Sequence, residues 1–151
     1  MRFTLEFKSP LQASKAEAWK WITSLQGISA ELRPLLRMSA PAGVHCLNDL
    51  KIELGKPLFR SRIYLFGVLP VDYSGLTLLE FKEGVGFTEQ SPMGSMRHWR
   101  HARQIEGADH GCTVTDVLTF EPRYASSVSK WAVKRLFTHR HVVLRRSLGS
   151  A

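Results

Sequence analysis

Between Ala125 and Leu148 the chain reads ASSVSKWAVKRLFTHRHVVLRRSL, with neither glycine nor proline. This uninterrupted stretch predicts one long terminal helix, capped by Ser126 or Ser127. At about 100° per residue, Val128, Ala132, Val133, Leu136, Phe137, Val143 and Leu144 fall on one arc spanning roughly 180°. Lys130, Lys134, Arg135, His141 and Arg145 occupy the remaining circumference, the solvated side. A helix with so broad an apolar stripe must lie against a large apolar surface, and the rest of the chain has to supply it.

That surface reads as a sheet. Phe3, Leu5 and Phe7 alternate with Arg2, Thr4, Glu6 and Lys8, the period of a strand with one face buried, and Pro10 is expected to end it. Ser14 and Glu17 have capping-box spacing, which predicts a helix from about 15 to 25, closed by Gly27. A second short helix is expected over 28–36, limited by Pro34, with a loop at 39–43. From Pro57 onward, segments rich in Val, Leu, Phe, Thr and Tyr are separated by the turns GVLP, KEGVG and GADHG, predicting consecutive antiparallel strands that stop at Pro122.

Composition bounds the class. With 151 residues, 44% hydrophobic and 23% charged, residues 1–151 are expected to form a single domain with one core. The N-terminus lacks the apolar run of a signal peptide, and no stretch approaches the roughly 18 apolar residues of a membrane span, so a cytoplasmic protein is expected. Cys46 and Cys112 form no CxxC pair and read as free thiols. The histidines lack zinc-finger spacing, and no glycine-rich phosphate loop, GxSxG or HExxH is present. No metal or other cofactor is therefore expected. The net charge of +8 favours acidic partners in general, but no specific nucleic-acid binding is expected from it.

The order is strand, two helices, about six strands, long helix, an α+β arrangement with one curved antiparallel sheet packed on a helix. The element order, with LFGVLPVDY (65–73), GFTEQS (86–91), HWRHAR (98–103), TVTDVLTFEPR (113–123) and LFTHRHVVLRR (136–146), resembles the SRPBCC superfamily of START domains, polyketide cyclases and pollen-allergen-type ligand carriers. The resemblance spans nearly the whole chain. It implies a helix-grip fold, in which a seven-stranded antiparallel sheet wraps the C-terminal helix around an internal ligand pocket, with two short helices after the first strand.

Strand phasing nominates the residues that face such a pocket. In CTVTDVLTF, Cys112, Val114, Leu118 and Phe120 share the inward face, and Asp116 is among them. In the partner strand the face of Trp99 and Ile105 also turns Arg97, His101 and Arg103 inward. A four-residue GADH loop pairs Glu106 with Gly111 and sets His101 opposite Asp116. Val85, Phe87 and Glu89 face inward by the same reasoning. Arg140 lies on the apolar arc of the terminal helix together with Leu136. A guanidinium there needs a carboxylate or an anionic ligand group, with Asp116 and Glu89 as candidate partners.

These residues carry two chemistries. His101 with Asp116 reads as an acid/base dyad or as a buried hydrogen bond holding two strands in register. Arg140 reads as an anchor for a carboxylate or phosphate, or as half of an internal ion pair. Trp99 either stacks on a ligand ring or belongs to the core. Arg97 and Arg103 are long enough to reach the pocket rim with their heads in water. The leading expectation is a carrier or sensor of a small, largely hydrophobic, possibly anionic molecule, bound by Glu89, Trp99, His101, Arg103, Asp116, Leu136 and Arg140. The first alternative is a cyclase or dehydratase, in which His101, Asp116 or Glu89 handles protons and Arg140 holds an oxyanion. The second is a basic surface module, using Lys130, Trp131, Lys134, His141 and Arg145 on anionic lipid or nucleic acid. A weak contact with an anionic membrane fits this reading, and monomer and homodimer both remain open.

Overall fold

The computed structural model describes residues 2–151. The chain runs β1 (Phe3–Leu11), α1 (Lys15–Thr23), α2 (Leu25–Leu32), β2 (Leu36–Met38), β3 (Pro57–Leu65), β4 (Leu69–Lys82), β5 (Gly86–Gln90), β6 (Met96–Gly107), β7 (Cys112–Pro122) and α3 (Ser126–Leu148). The seven strands form one antiparallel sheet in the order β1-β7-β6-β5-β4-β3-β2. The sheet curls around α3, the helix-grip arrangement that the resemblance implied. β2, only three residues long, begins at Leu36, the last residue of the second helix expected over 28–36, and the sequence pattern predicts no strand there. Arg33, ahead of Pro34, is extended (φ −68°, ψ 146°), as pre-proline sterics favour, so α2 stops at Leu32.

The two short helices meet at Ser24. Its N–H bonds to Trp21 O at 3.2 Å, ending α1. Its Oγ accepts from Gly27 N at 2.9 Å, opening α2. Gly27 therefore lies inside the second helix and does not close the first. It lies there for space: a Cβ at Gly27 would meet Trp21 O at 2.3 Å. At the start of α1, Ser14 caps as its spacing predicts, accepting from Glu17 N at 3.2 Å. α3 begins differently. Ala125, in the left-handed region at φ 45°, takes the cap position without a side-chain bond. Ser126 and Ser127 are already helical, and the first-turn hydroxyl contact is Ser129 Oγ donating to Tyr124 O at 3.0 Å.

β1 continues through Pro10 to Leu11, because Pro10 pairs with Thr113 on an edge strand, where a missing N–H is tolerated. The other side of this strand end is met by the chain's last residues, with Gln12 N donating to Gly149 O at 2.8 Å and Leu11 bridging Ser150.

Packing divides the interior. Leu11, Ala18, Ile22, Ile105, Cys112, Val114 and Leu144 form one buried cluster beneath α1. Met96, Leu118, Phe120, Val133 and Phe137 form a second, with Phe3, Leu5 and Phe7 against it. Both sit where β1, β7 and β6 meet α3. Burial along α3 begins at Val133, so Val128, expected on the inward arc, is 64% exposed. Arg97 also points to solvent, because a bulge between Met96 and His98 breaks the alternation. Val85 precedes β5 in the turn closed by its N–H on Lys82 O and is exposed.

The β6–β7 register differs from the expected one by two residues. Gly107 pairs with Cys112, leaving Ala108–Gly111 as the loop. Gly111 adopts φ 96°, and a Cβ there would lie 1.9 Å from Leu11 O, so this position turns the chain and does not pair. Arg103 thereby stands opposite Asp116, and His101 opposite Leu118.

Candidate functional site

Away from the two clusters, the β2–β5 side of the sheet, α2 and the first half of α3 enclose a cavity of about 790 Å³. Most of its wall is aliphatic or aromatic, from Leu32, Ile63, Leu78, Trp99, Leu136 and Phe137 among others. Glu89, His101 and Arg140 reach the same wall. Arg103 and Asp116 do not: both are completely buried behind His101.

The buried polar residues form a connected set across five elements. Asp116 is its centre. Oδ1 accepts from His101 Nε2 at 2.6 Å and Arg103 Nε at 2.8 Å. Oδ2 accepts from His141 Nε2 at 2.6 Å and Arg103 Nη2 at 2.9 Å. His101 keeps its contact with Asp116 despite the changed register, since diagonal neighbours on one sheet face remain within reach of a long side chain. Arg103 continues to Glu31 on α2, with Nη2 on Oε1 at 2.8 Å and Nη1 on Oε2 at 3.1 Å. It is thus bidentate to two carboxylates at once, and the expected snorkelling to the rim does not occur. A guanidinium at this depth without such pairing would be prohibitively costly.

Arg140 is buried, but its partner is Glu31, Nε to Oε1 at 3.0 Å, and not Asp116 or Glu89. Its planar group lies 4.9 Å from the Phe137 ring centre. Its two terminal nitrogens donate to no side chain or carbonyl among the described residues, which leaves four of its five N–H groups for the cavity. Glu89 is held at the wall by Ser91 Oγ, which donates to Oε2 at 2.9 Å, and lies 3.7 Å from His101 Nδ1.

Charge sets protonation here. Burial by itself raises the pKa of Asp116, but the Arg103 and His101 charges outweigh it and hold the carboxyl well below its usual range. For Glu31, burial opposes and Arg103 and Arg140 prevail, so its pKa is also lowered. Burial likewise raises Glu89, and its contacts with His101 bring it below the ordinary value. His101 moves the other way: burial lowers it, while Asp116 and Glu89 raise it further, for a net upward shift. The shift favours the imidazolium, with Nε2 on Asp116 and Nδ1 3.7 Å from Glu89 at the cavity wall.

Sequence reasoning missed Glu31, Trp21, Ser9 and the burial of His141. His141, assigned to the solvated side, is 3% exposed and bridges Asp116 to Ser9 Oγ, with Nδ1 at 2.7 Å. The signal was present, since His141 is four residues after Phe137 and three before Leu144. Glu31 was also findable, three residues after Ile28 in an amphipathic turn. Trp21 Nε1 donates to its Oε2 at 2.9 Å. With His141 inside and Arg145 Nη1 bonded to Ser9 Oγ at 2.9 Å, the basic face proposed for α3 loses two members. Among the described residues no three His, Cys, Asp or Glu side chains converge as metal ligands. No described helix is long and apolar enough to cross a membrane.

Solved structures share the fold. The Zhui aromatase/cyclase from Streptomyces sp. R1128 aligns over 100% of both chains at 9% identity and a TM-score of 0.67. A START superfamily protein from Mycobacterium smegmatis aligns over 97% of this chain and 96% of its own, at 7% identity and a TM-score of 0.63. Ara h 8.0201 covers 98% of each chain at 13% identity and a TM-score of 0.64. Identities this low speak to fold alone. No curated protein is significantly similar in sequence. A family model matches residues 9–148, nearly the whole length, and the chain accordingly belongs to the family described as domain of unknown function DUF8410.

Proposed function

We propose that the protein, as one ligand-binding domain, binds and carries a small, largely hydrophobic molecule with an acidic or other oxygen-bearing group. The observation that carries this reading is the hollow of about 790 Å³ whose apolar wall is interrupted by the free donor fork of Arg140. That size is ordinary for a small-molecule site. Removing about 300 Å² of a guest's apolar surface from water contributes about 7 kcal/mol before association entropy is subtracted. Arg140, and His101 beside it at the wall, then select and orient the oxygen-bearing end. Native mass spectrometry of the purified protein, with extraction of any guest and titration by a fluorescent long-chain carboxylic acid, tests this. The acid is expected to bind, and Arg140→Met to remove its preference over the matching alcohol. Failure to take up either probe, with no endogenous guest, overturns the reading.

A second reading, proton transfer on a polyketide-like guest, draws on the shared fold of the Zhui aromatase/cyclase and on His101 and Glu89 at the wall. His101, with its raised pKa, is suited to donate a proton, and Glu89, with its lowered pKa, makes a weak base. Carriage is therefore preferred. His101→Gln separates the two: a carrier keeps binding its guest, whereas a catalyst still binds but no longer converts it.

A further inference from the structure

The cavity opens between the β3–β4 hairpin and the first half of α3, and the apolar surface does not end at the opening. Phe66, Val71 and Trp131 line the cavity and are nonetheless 62%, 52% and 62% exposed. At the hairpin tip beside them, Val68 and Leu69 are 72% and 55% exposed. A contiguous apolar rim of this kind is uncommon on a free surface and marks a contact region. The tip is also built against local preference. Phe66 at φ 52° and Gly67 at φ 79° form a turn with two consecutive left-handed residues, where Asn-Gly is the unstrained choice. A phenylalanine held there presents its ring outward at a conformational cost.

The charge around the rim is mostly basic, and the carboxylate that lines the cavity beside Val71, Asp72, is taken up by the backbone N–H groups of Tyr73 and Ser95 and the Ser95 hydroxyl. Residues 54–71 and 122–151, which supply the hairpin and the helix, contain no Asp or Glu, although the chain has 13. Arg37 Nε donates to Gly67 O at 3.2 Å, fixing one guanidinium beside the tip. Arg135 lies 5.7 Å from the Trp131 ring centre and lines the opening itself. Aromatic and aliphatic side chains ringed by arginine match the interface of an anionic bilayer, which takes the apolar groups among the headgroups and offers phosphates to the cations. A second copy of this surface would bring like charges together. Nucleic acid has no use for the aliphatic tip.

We propose that the mouth of the cavity is a docking surface for an anionic lipid bilayer, with Phe66, Val68, Leu69 and Trp131 entering the headgroup layer and Arg37 and Arg135 meeting lipid phosphates. This surface goes beyond the reading of the cavity and does not depend on it. The test is sedimentation of the full chain with vesicles of phosphatidylcholine alone and of phosphatidylcholine with phosphatidylserine in equal parts. Binding to the mixed vesicles is expected, with a blue shift in tryptophan emission. Phe66→Asn, which suits the turn, is expected to reduce partitioning about tenfold while the protein melts no lower than before. Trp131→Gln, on the exposed helix face, is expected to reduce it similarly. Equal binding to both vesicle types, no binding to either, undiminished binding by both variants, or a dimer abolished by Phe66→Asn would each overturn the proposal. Guest occupancy, measured separately by native mass spectrometry, reports on the cavity whatever the vesicles show.

Discussion

His101 shows how one side chain's surroundings set its chemistry. Held between Asp116 and Glu89, it has a raised pKa, so its contribution to stability is complete below about pH 6.5 and fades as pH rises through the shifted value. Asp116, Glu31 and Glu89 have lowered values, so their contribution is complete above about pH 4.5 and fades as pH falls through the shifted values. The melting temperature is therefore expected to be highest between about pH 4.5 and 6.5. His101→Gln is expected to flatten the alkaline decline and leave the acid one, as thermal melts across pH will show; an unchanged alkaline limb would contradict the assignment. Much of this was legible in sequence, because strand phasing turned His101 and Asp116 inward and helical phasing buried Arg140. The partner of Arg140 was not, since Glu31 lies 109 residues away along the chain and only the packing of α2 on α3 brings it near. Arg103 was misjudged because its length permits two fates, and the choice between them depended on two carboxylates whose positions no local pattern reveals.

At the scale of elements, the long helix and the strands after Pro57 followed from periodicity, which is strong wherever one face is buried over many residues. β2 escaped because three residues carry no period, and the β6–β7 register shifted because Gly111, in the left-handed region and packed against the Leu11 carbonyl, belongs to the turn and not to the ladder. Gly27 illustrates the same dependence on neighbours. In an exposed helix, replacing glycine by alanine stabilises by about 0.5–1 kcal/mol. Here the added methyl meets the Trp21 carbonyl, an atom of the backbone that cannot swing aside. Gly27→Ala is expected to destabilise the protein by about 2 kcal/mol, read as a lower denaturant midpoint at unchanged slope. A gain in stability would mean that the α1–α2 junction is looser than described.

For the whole molecule, the contrast is between a filled half, where β1, β7 and β6 grip α3, and a hollow half beneath β2–β5. The ionic set stands at the border between them. Glu31, Glu89 and Asp116 face Arg103, Arg140 and His101 from α2, β5, β6, β7 and α3, with His141 also on Asp116 and Arg145 at the periphery on Ser9. Three carboxylates and two guanidinia leave one negative charge, which His101 balances when it is protonated, the form its raised pKa favours; in that state a guest that arrives ionised upsets an electroneutral compartment, while one that arrives as the neutral acid does not. Uptake of a carboxylic acid is thus expected to draw a proton from solution along with it. Calorimetric titration of such an acid in buffers of differing ionisation enthalpy measures that stoichiometry, and heats that do not vary with the buffer would show that no proton travels with the guest.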